Sequence, residues 1–440
     1  MTKPHFSTRL IFIDTIRSIA ILMMLEGHFI THSIQKIYRD DTNVIYAIWK
    51  FTRGLTAPVF LTISGLIFTY LLLKDKNYGF KNERLRKGFK RALLLIILGF
   101  LLQIKIYKVL FFGIPWFTEL FYIFHVLHCI GTSILIIIGL YLLQNYIFKI
   151  PLGIIIALVG ISVFLATPTL TEINYINIPR FIENILILSK DTTIKTSVFP
   201  LFPWAGFVFL GSSLGCLIYK YQHKNLGIRF AFILFIAGCL LHNYSYHILT
   251  YFQEKNVFSG ITPFNYIYEF CRFGHVLIVI STIIFIESVY PYIKKSYSFE
   301  TSKKANILSF IISIVLAALL ALIPFESPFL IALPYLLFFI PIILALAKKV
   351  KWNQSLFHAI GQNTLFIFVL HVILLYEGFL GLQTGKYIKA NLSPFSAILG
   401  MILFVFFFVV LIKNYDSIKN TCSGFIKQKP LFAFKKLNRN

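Results

Sequence analysis

The chain has 440 residues, of which 58% are hydrophobic, 17% aromatic and only 13% charged, with a formal net charge of +25. A soluble domain carries about 25% charged residues, so an ordinary soluble fold is excluded and a chain lying mostly in hydrocarbon, where charge is costly, is expected. The basic excess sits in short blocks between apolar runs, which reads as membrane topology and not as a nucleic-acid surface.

Apolar runs long enough to cross a bilayer as helices are predicted at about 10–30, 56–73, 92–112, 121–143, 152–168, 201–219, 230–249, 265–289, 306–323, 328–347, 359–378 and 395–412. The stretches 104–120 and 170–200 leave room for re-entrant or interfacial pieces. The expected fold class is therefore all-α, a polytopic bundle of about 10–12 transmembrane helices over residues 1–413. A basic cytoplasmic tail at 414–440 would lie against anionic headgroups. The first run contains Asp14 and Arg17, which the apolar core of a signal peptide lacks, so it is expected to stay as the first helix. With the N-terminus cytoplasmic, 28 of the 42 Lys and Arg fall on the cytoplasmic side and 12 on the other, as the positive-inside rule requires. The cysteines Cys129, Cys216, Cys239, Cys271 and Cys422 show no paired or metal-like spacing. Four of them sit in apolar segments and read as small core residues.

Ionisable residues inside a span mark function by default. In the first helix Arg17 and His28 are eleven residues apart, which at 100° per residue brings them to within about 20° of one face and about 16 Å apart along the axis. Asp14 stands one turn before Arg17 and His32 one turn after His28. The bland alternative is a self-neutralising Asp14–Arg17 pair with His28 at a helix end. Glu26 points away from His28 and is expected to pair with another helix.

The loop 74–91 carries eight basic residues. It serves topology alone, or Arg84, Arg86, Lys90 and Arg91 form a phosphate-binding mouth, the 84/87/91 spacing placing several on one face of an emerging helix. His125 and His128 are three apart with no carboxylate or cysteine at ligand spacing, so no metal is expected. Pro200, Pro203 and Trp204 mark the outer mouth of the sixth span, where Trp204 is an interface anchor or a platform for a sugar. Glu269, Arg272 and His275 step along one side of the eighth span, as an ion pair within the helix or as substrate contacts. His371 lies mid-helix in an apolar run, as a hydrogen-bonded core residue or a substrate contact.

Two families share these features. The run Arg9-Leu-Ile-Phe-Ile-Asp14-Thr-Ile-Arg17-Ser-Ile-Ala with His28 after it resembles the first helix of transmembrane acyltransferases, the acyltransferase-3 proteins and the heparan-α-glucosaminide N-acetyltransferase-like proteins, which share an arginine, ten residues and a histidine. Ala57-Pro-Val-Phe-Leu-Thr-Ile-Ser-Gly65, Arg84 to Arg91, Val126-Leu-His-Cys-Ile-Gly131, Phe199-Pro-Leu-Phe-Pro-Trp-Ala-Gly206 and Gly361-Gln-Asn-Thr-Leu-Phe-Ile-Phe-Val-Leu-His371 resemble the second family in order. Ser18 stands where glycine is usual.

The resemblance implies an acyl-CoA-dependent, membrane-bound enzyme moving an acetyl group from cytoplasmic acetyl-CoA to an amino or hydroxyl group of a sugar or glycan across the membrane, without a metal. It implies His28 as general base, with Asp14 and Arg17 beside the donor. Arg84, Arg86, Lys90 and Arg91 would hold the CoA phosphates, and Trp204, His371, Glu269 and Arg272 would face the acceptor. The bilayer partner and a bacterial inner-membrane location follow, and a homodimer is left open. A secondary transporter or flippase fits the spans and charges equally; against it, no internal repeat is detected.

Overall fold

Hydrocarbon offers the backbone no partner but itself, so apolar runs fold as helices that satisfy their own N–H and C=O groups. The computed structural model of the chain describes residues 11–103, 123–147, 149–172, 179–188, 197–221, 227–254, 264–296, 354–377 and 385–415. In chain order the helices are α1 (Ile11–Ser33), α2 (Val44–Gly54), α3 (Thr56–Leu73), α4 (Glu83–Gln103), α5 (Val126–Tyr146), α6 (Leu152–Glu172), the short α7 (Arg180–Leu186), α8 (Leu201–Tyr221), α9 (Ile228–Glu254) and α10 (Phe264–Ser296). They continue with α11 (Gln354–Gln362), α12 (Thr364–Val372) running into a π turn at Ile373–Glu377, α13 (Gly385–Ile388) and α14 (Pro394–Lys413).

The chain is an all-α, multi-pass membrane bundle. Six helices among the described residues are long and apolar enough to cross a bilayer, and α11 with α12 makes a seventh if the bent pair is one span. The expected spans at 306–323 and 328–347, the stretch 104–120, and the tail beyond 415 lie outside the described residues. Two features depart from the expected threading. Residues 44–54, read as loop, form α2, which Asn43 starts by accepting the N–H groups of Ile45 (3.0 Å) and Tyr46 (3.2 Å), an N-cap that supplies orphan donors with an acceptor. Lys50 and Arg53 interrupt its apolar run, which hides it from a hydropathy reading. The expected span at 359–378 is not one straight helix: it bends by 65° between α11 and α12.

Packing sets the site's walls. On α1, Ile16, Ile21 and Leu25 are wholly buried, and the helix lies against α3, α11, α12 and α14. α3 in turn lies against α8, with Gly65 on the Val208 carbonyl and Gly211 on that of Thr62, so close that neither position has room for a Cβ. Small residues allow such backbone contact between helices in lipid, and it fixes α3 as a rigid wall. α14 shows Phe395, Ile398, Ile402 and Phe406 outward, an apolar surface suited to lipid.

Each end of the bundle is tied by polar side chains. Where α3 turns into α4, Gly79 takes a positive φ of 61°. Asn82 there donates to the Leu72 carbonyl (3.0 Å) and accepts the Arg84 N–H (2.8 Å). Asp75 also accepts N–H groups from Asn77 (3.0 Å) and Arg84 (3.2 Å), and these bonds hold its carboxyl below the usual carboxylate range. At the opposite end Arg39 donates to the Thr31 and Ile34 carbonyls, both at 2.9 Å, satisfying acceptors that the end of α1 leaves open.

Candidate active site

At the end where α1 begins, one cavity of about 170 Å³ runs between α1, α3, α4, α5 and α12. Four cations line it: Arg17 from α1, and Arg84, Lys87 and Arg91 from α4. The rest of its wall is largely apolar. Along α3 it extends from Leu72 back to Phe60, twelve residues or about 18 Å of helix rise. Along α4 it extends from Arg84 to Leu95. Arg84 and Lys87 therefore sit at its mouth, Arg91 lies about 10 Å of helix rise further in than Arg84, and Phe60 and Leu95 stand toward its far end.

Arg17 is held from two sides. Its Nη1 lies 3.9 Å from the Asp14 carboxylate one turn away, and its Nη2 donates to the Thr364 hydroxyl at 2.9 Å. Asp14 also accepts from the Gln362 amide at 3.5 Å. Gln362 and Thr364 flank the bend between α11 and α12, so the broken helix serves the ion pair from both of its halves. Gly361 sits on the Asp14 carbonyl, and Ser18 donates to the Phe357 carbonyl at 2.6 Å, which locks α11 to α1.

Arg86 and Lys90, expected beside Arg84 and Arg91, do not line the cavity. The reason is elementary: at 100° per residue, positions 87 and 91 return to the face of position 84, whereas 86 and 90 turn away from it. Lys87, which the 84/87/91 spacing places on that face, lines the cavity with Arg84 and Arg91; it also pairs with Glu83 at 3.2 Å.

Beyond Phe368 stands a group of imidazoles. The Phe368 ring lies 5.1 Å from that of His371 and 5.9 Å from that of His125. His371 Nε2 is 3.4 Å from His28 Nδ1, near enough to share a proton, and the neutral tautomer decides which nitrogen donates. Tyr376 sets its ring edge-on to both His28 (5.6 Å) and His32 (5.2 Å), while His32 Nε2 meets the Gly385 carbonyl at 2.8 Å. His128 has a separate employment: its Nδ1 accepts the His125 backbone N–H at 2.9 Å, at the start of α5.

The remaining candidates divide. Trp204 packs on Phe199 at 4.9 Å, and Phe199 reaches the His125 ring at 6.5 Å, so it borders the imidazole group through one intervening ring. Arg272 lies elsewhere, with its guanidinium 4.7 Å over the Phe51 ring and Nη1 3.4 Å from the Phe51 carbonyl. Glu269 is one turn earlier on α10, and His275, one turn later, meets His242 at 3.0 Å. Arg272 and His275 bind α10 to α2 and α9. Glu26 accepts the Trp49 indole N–H from α2, and Arg53, 5.9 Å from the Trp49 ring, lies along α1 at Gly27. Arg53 and Tyr376 were not singled out in the sequence; only their neighbours in space identify them.

The arrangement offers cations for an anionic group along an apolar passage and imidazoles packed behind its Phe368 wall. Residues 9–253 match the family described as heparan-alpha-glucosaminide N-acetyltransferase, catalytic, more than half of the chain. α10 to α14, with Thr364, Phe368 and His371, follow the matched residues. No curated protein matches the chain.

Proposed function

This chain belongs to the heparan-α-glucosaminide N-acetyltransferase catalytic family, and from that premise we propose that it moves an acetyl group from cytoplasmic acetyl-CoA to an amino or hydroxyl group of a sugar or glycan at the opposite membrane face. The observation that carries this reading is one cavity lined by Arg17, Arg84, Lys87 and Arg91 and by Phe368, whose ring packs on that of His371. CoA is highly anionic, and arginine binds phosphate through charge-assisted hydrogen bonds. The pantetheine arm and thioester then run along the apolar wall toward the imidazoles. The acceptor nitrogen or oxygen attacks the thioester carbonyl carbon, the C–S bond breaks, and CoA leaves as thiolate. The acceptor's proton passes to His28 acting as general base, with His371 orienting the ring. Arg17 and its partner Asp14 position the donor. The positive-inside distribution, 28 of 42 basic residues on the side of the N-terminus, supports placing the basic mouth in the cytoplasm, in a bacterial inner membrane on this reading.

The test compares two sets of neutral variants. Arg84→Gln, Lys87→Gln and Arg91→Gln together remove the lining cations; Arg86→Gln with Lys90→Gln removes two cations of the same helix that do not line the cavity. Each hydrogen bond to a charged group contributes about 1.5–3 kcal/mol, so the first set should weaken CoA binding by at least about tenfold and the second should leave the dissociation constant near that of the parent. Equal weakening by both sets would mean diffuse attraction to a basic surface, and the cavity would lose its assignment.

A further inference from the structure

We infer that Arg53 and Glu26 hold the hydroxyl groups of the acceptor sugar, an inference that rests on the transferase reading and gives its acceptor a seat. The two residues meet at the end of α1 opposite the cavity's mouth. Glu26 and His28 flank Gly27, and the Arg53 stem from α2 runs over that glycine: its Cγ stands 2.9 Å, and its Nε 3.7 Å, from where a Cβ would be. Position 27 has no room for a side chain, so Arg53 is seated between the carboxylate on one side and the imidazole on the other. One turn before Arg53 on α2, the Trp49 indole N–H donates to Glu26 Oε1, and the guanidinium lies 5.9 Å from the Trp49 ring. The charge of Arg53 also acts on His28 and Tyr376, whose rings meet edge-on at 5.6 Å.

The pair is distinguished by what it leaves open. Among the described residues the Arg53 guanidinium has no hydrogen-bond acceptor and no ion-pair partner, and Glu26 Oε2 has no donor. A guanidinium carries five N–H donors, and at the edge of hydrocarbon a charged group without partners is costly. Arg53, Glu26, Trp49, His28 and Tyr376 are each half-buried, so a ligand can reach them. Arg272, by contrast, is 9% exposed and donates to the Phe51 carbonyl. A sugar ring supplies what the open pair lacks. Two neighbouring hydroxyl oxygens accept from the planar guanidinium fork, and a hydroxyl donates to Glu26 Oε2. A ring held in this way brings the accepting amine or hydroxyl beside His28, the residue after Gly27. Arg53 and Glu26 are thus specificity-determining residues for the acceptor.

The experiment measures acetyl transfer from acetyl-CoA, by the purified full chain in detergent, to two pairs of probes: glucosamine with cyclohexylamine, and glucose with cyclohexanol. Each pair shares a six-membered ring and an accepting group and differs in the other hydroxyls. A site that hydrogen-bonds hydroxyls rejects an analogue lacking them by up to about 10⁴–10⁵. The parent should therefore prefer the sugar of its active pair by at least about 10² in kcat/KM. In Arg53→Gln and in Glu26→Gln that preference should fall by at least about tenfold, the loss for one hydrogen bond to a charged group. Transfer to the cyclohexyl partner and the dissociation constant of CoA should stay near the parent's. Neither residue lines the cavity, so intact CoA binding also shows that the variants are folded. A variant with unchanged preference removes its residue from the seat, and two such variants overturn the assignment. A residue serving the fold, the transition state or a lipid headgroup would move sugar and cyclohexyl rates alike. If Arg53→Gln loses CoA binding, Arg53→Lys decides: it keeps the charge without the planar fork, and the preference should still fall. A parent that binds acetyl-CoA and acetylates none of the four probes removes the transferase reading itself, and the seat with it.

Discussion

At the scale of single residues, the first helix announced most of its chemistry. Asp14, Arg17, Glu26 and His28 stand out because hydrocarbon tolerates such groups only with partners, and the structure supplies partners for each. What one helix could not show is who they are: His371 is 343 positions from His28 and Thr364 is 347 from Arg17, separations at which spacing carries no information. The basic loop was legible in a finer sense than its charge total, since a 100° step already separates positions 84, 87 and 91 from 86 and 90. His28 carries the sharpest prediction at this scale. Its imidazole is 3.4 Å from His371, which packs on the cavity residue Phe368, so His28→Ala should lower acetyl transfer by about 10²–10⁴, the range for a lost general base. CoA should bind as before, because none of the cavity's lining is altered. Transfer at the parental rate in that variant would remove His28 from the chemistry.

At the scale of elements, the helices were legible and their interruptions were not. An apolar run of the right length predicts a helix whether or not it is straight, so 359–378 read as one span although Gly361-Gln-Asn-Thr364 bends it by 65°. Likewise α2 was invisible to a search for long apolar runs, because Lys50 and Arg53 lie within it. The bend has a physical role: it lets Gln362 reach Asp14 (3.5 Å) and Thr364 reach Arg17 (2.9 Å) from the two halves of one broken helix. Asp14→Asn and Thr364→Val each loosen the Arg17 guanidinium, so both should weaken CoA binding through the same group. Their combined effect should then depart from additivity by about 0.5–3 kcal/mol, the range for residues sharing one network. A double variant whose loss is the simple sum of the two would show that Asp14 and Thr364 act separately, and that the break in the helix does not serve Arg17.

At the scale of the whole molecule, the two ends of the bundle differ in kind, and the proposed reaction requires that difference to match the two sides of the membrane. The end where α3 meets α4 carries the basic loop and the cavity mouth; the end where α1 stops carries His28, His32, Tyr376 and the α1–α2 connection. Acetyl-CoA is a cytoplasmic metabolite too polar to cross hydrocarbon, so the basic end must face the cytoplasm or the donor cannot enter. The charge distribution argues for that orientation, and a labelling experiment decides it. Lys76 lies in the exposed turn before α4, and Thr42 in the exposed turn before α2, at opposite ends of the bundle. In a background with the five native cysteines replaced, Thr42→Cys should react with a membrane-impermeant maleimide in intact cells. Lys76→Cys should react only after the membrane is opened. Neither site lines the cavity, so both proteins should still bind CoA, which shows that the labelled molecules are folded. The reverse pattern would put the cationic mouth outside the cell, where no acetyl-CoA waits, and the transfer reaction proposed for this chain would have no donor.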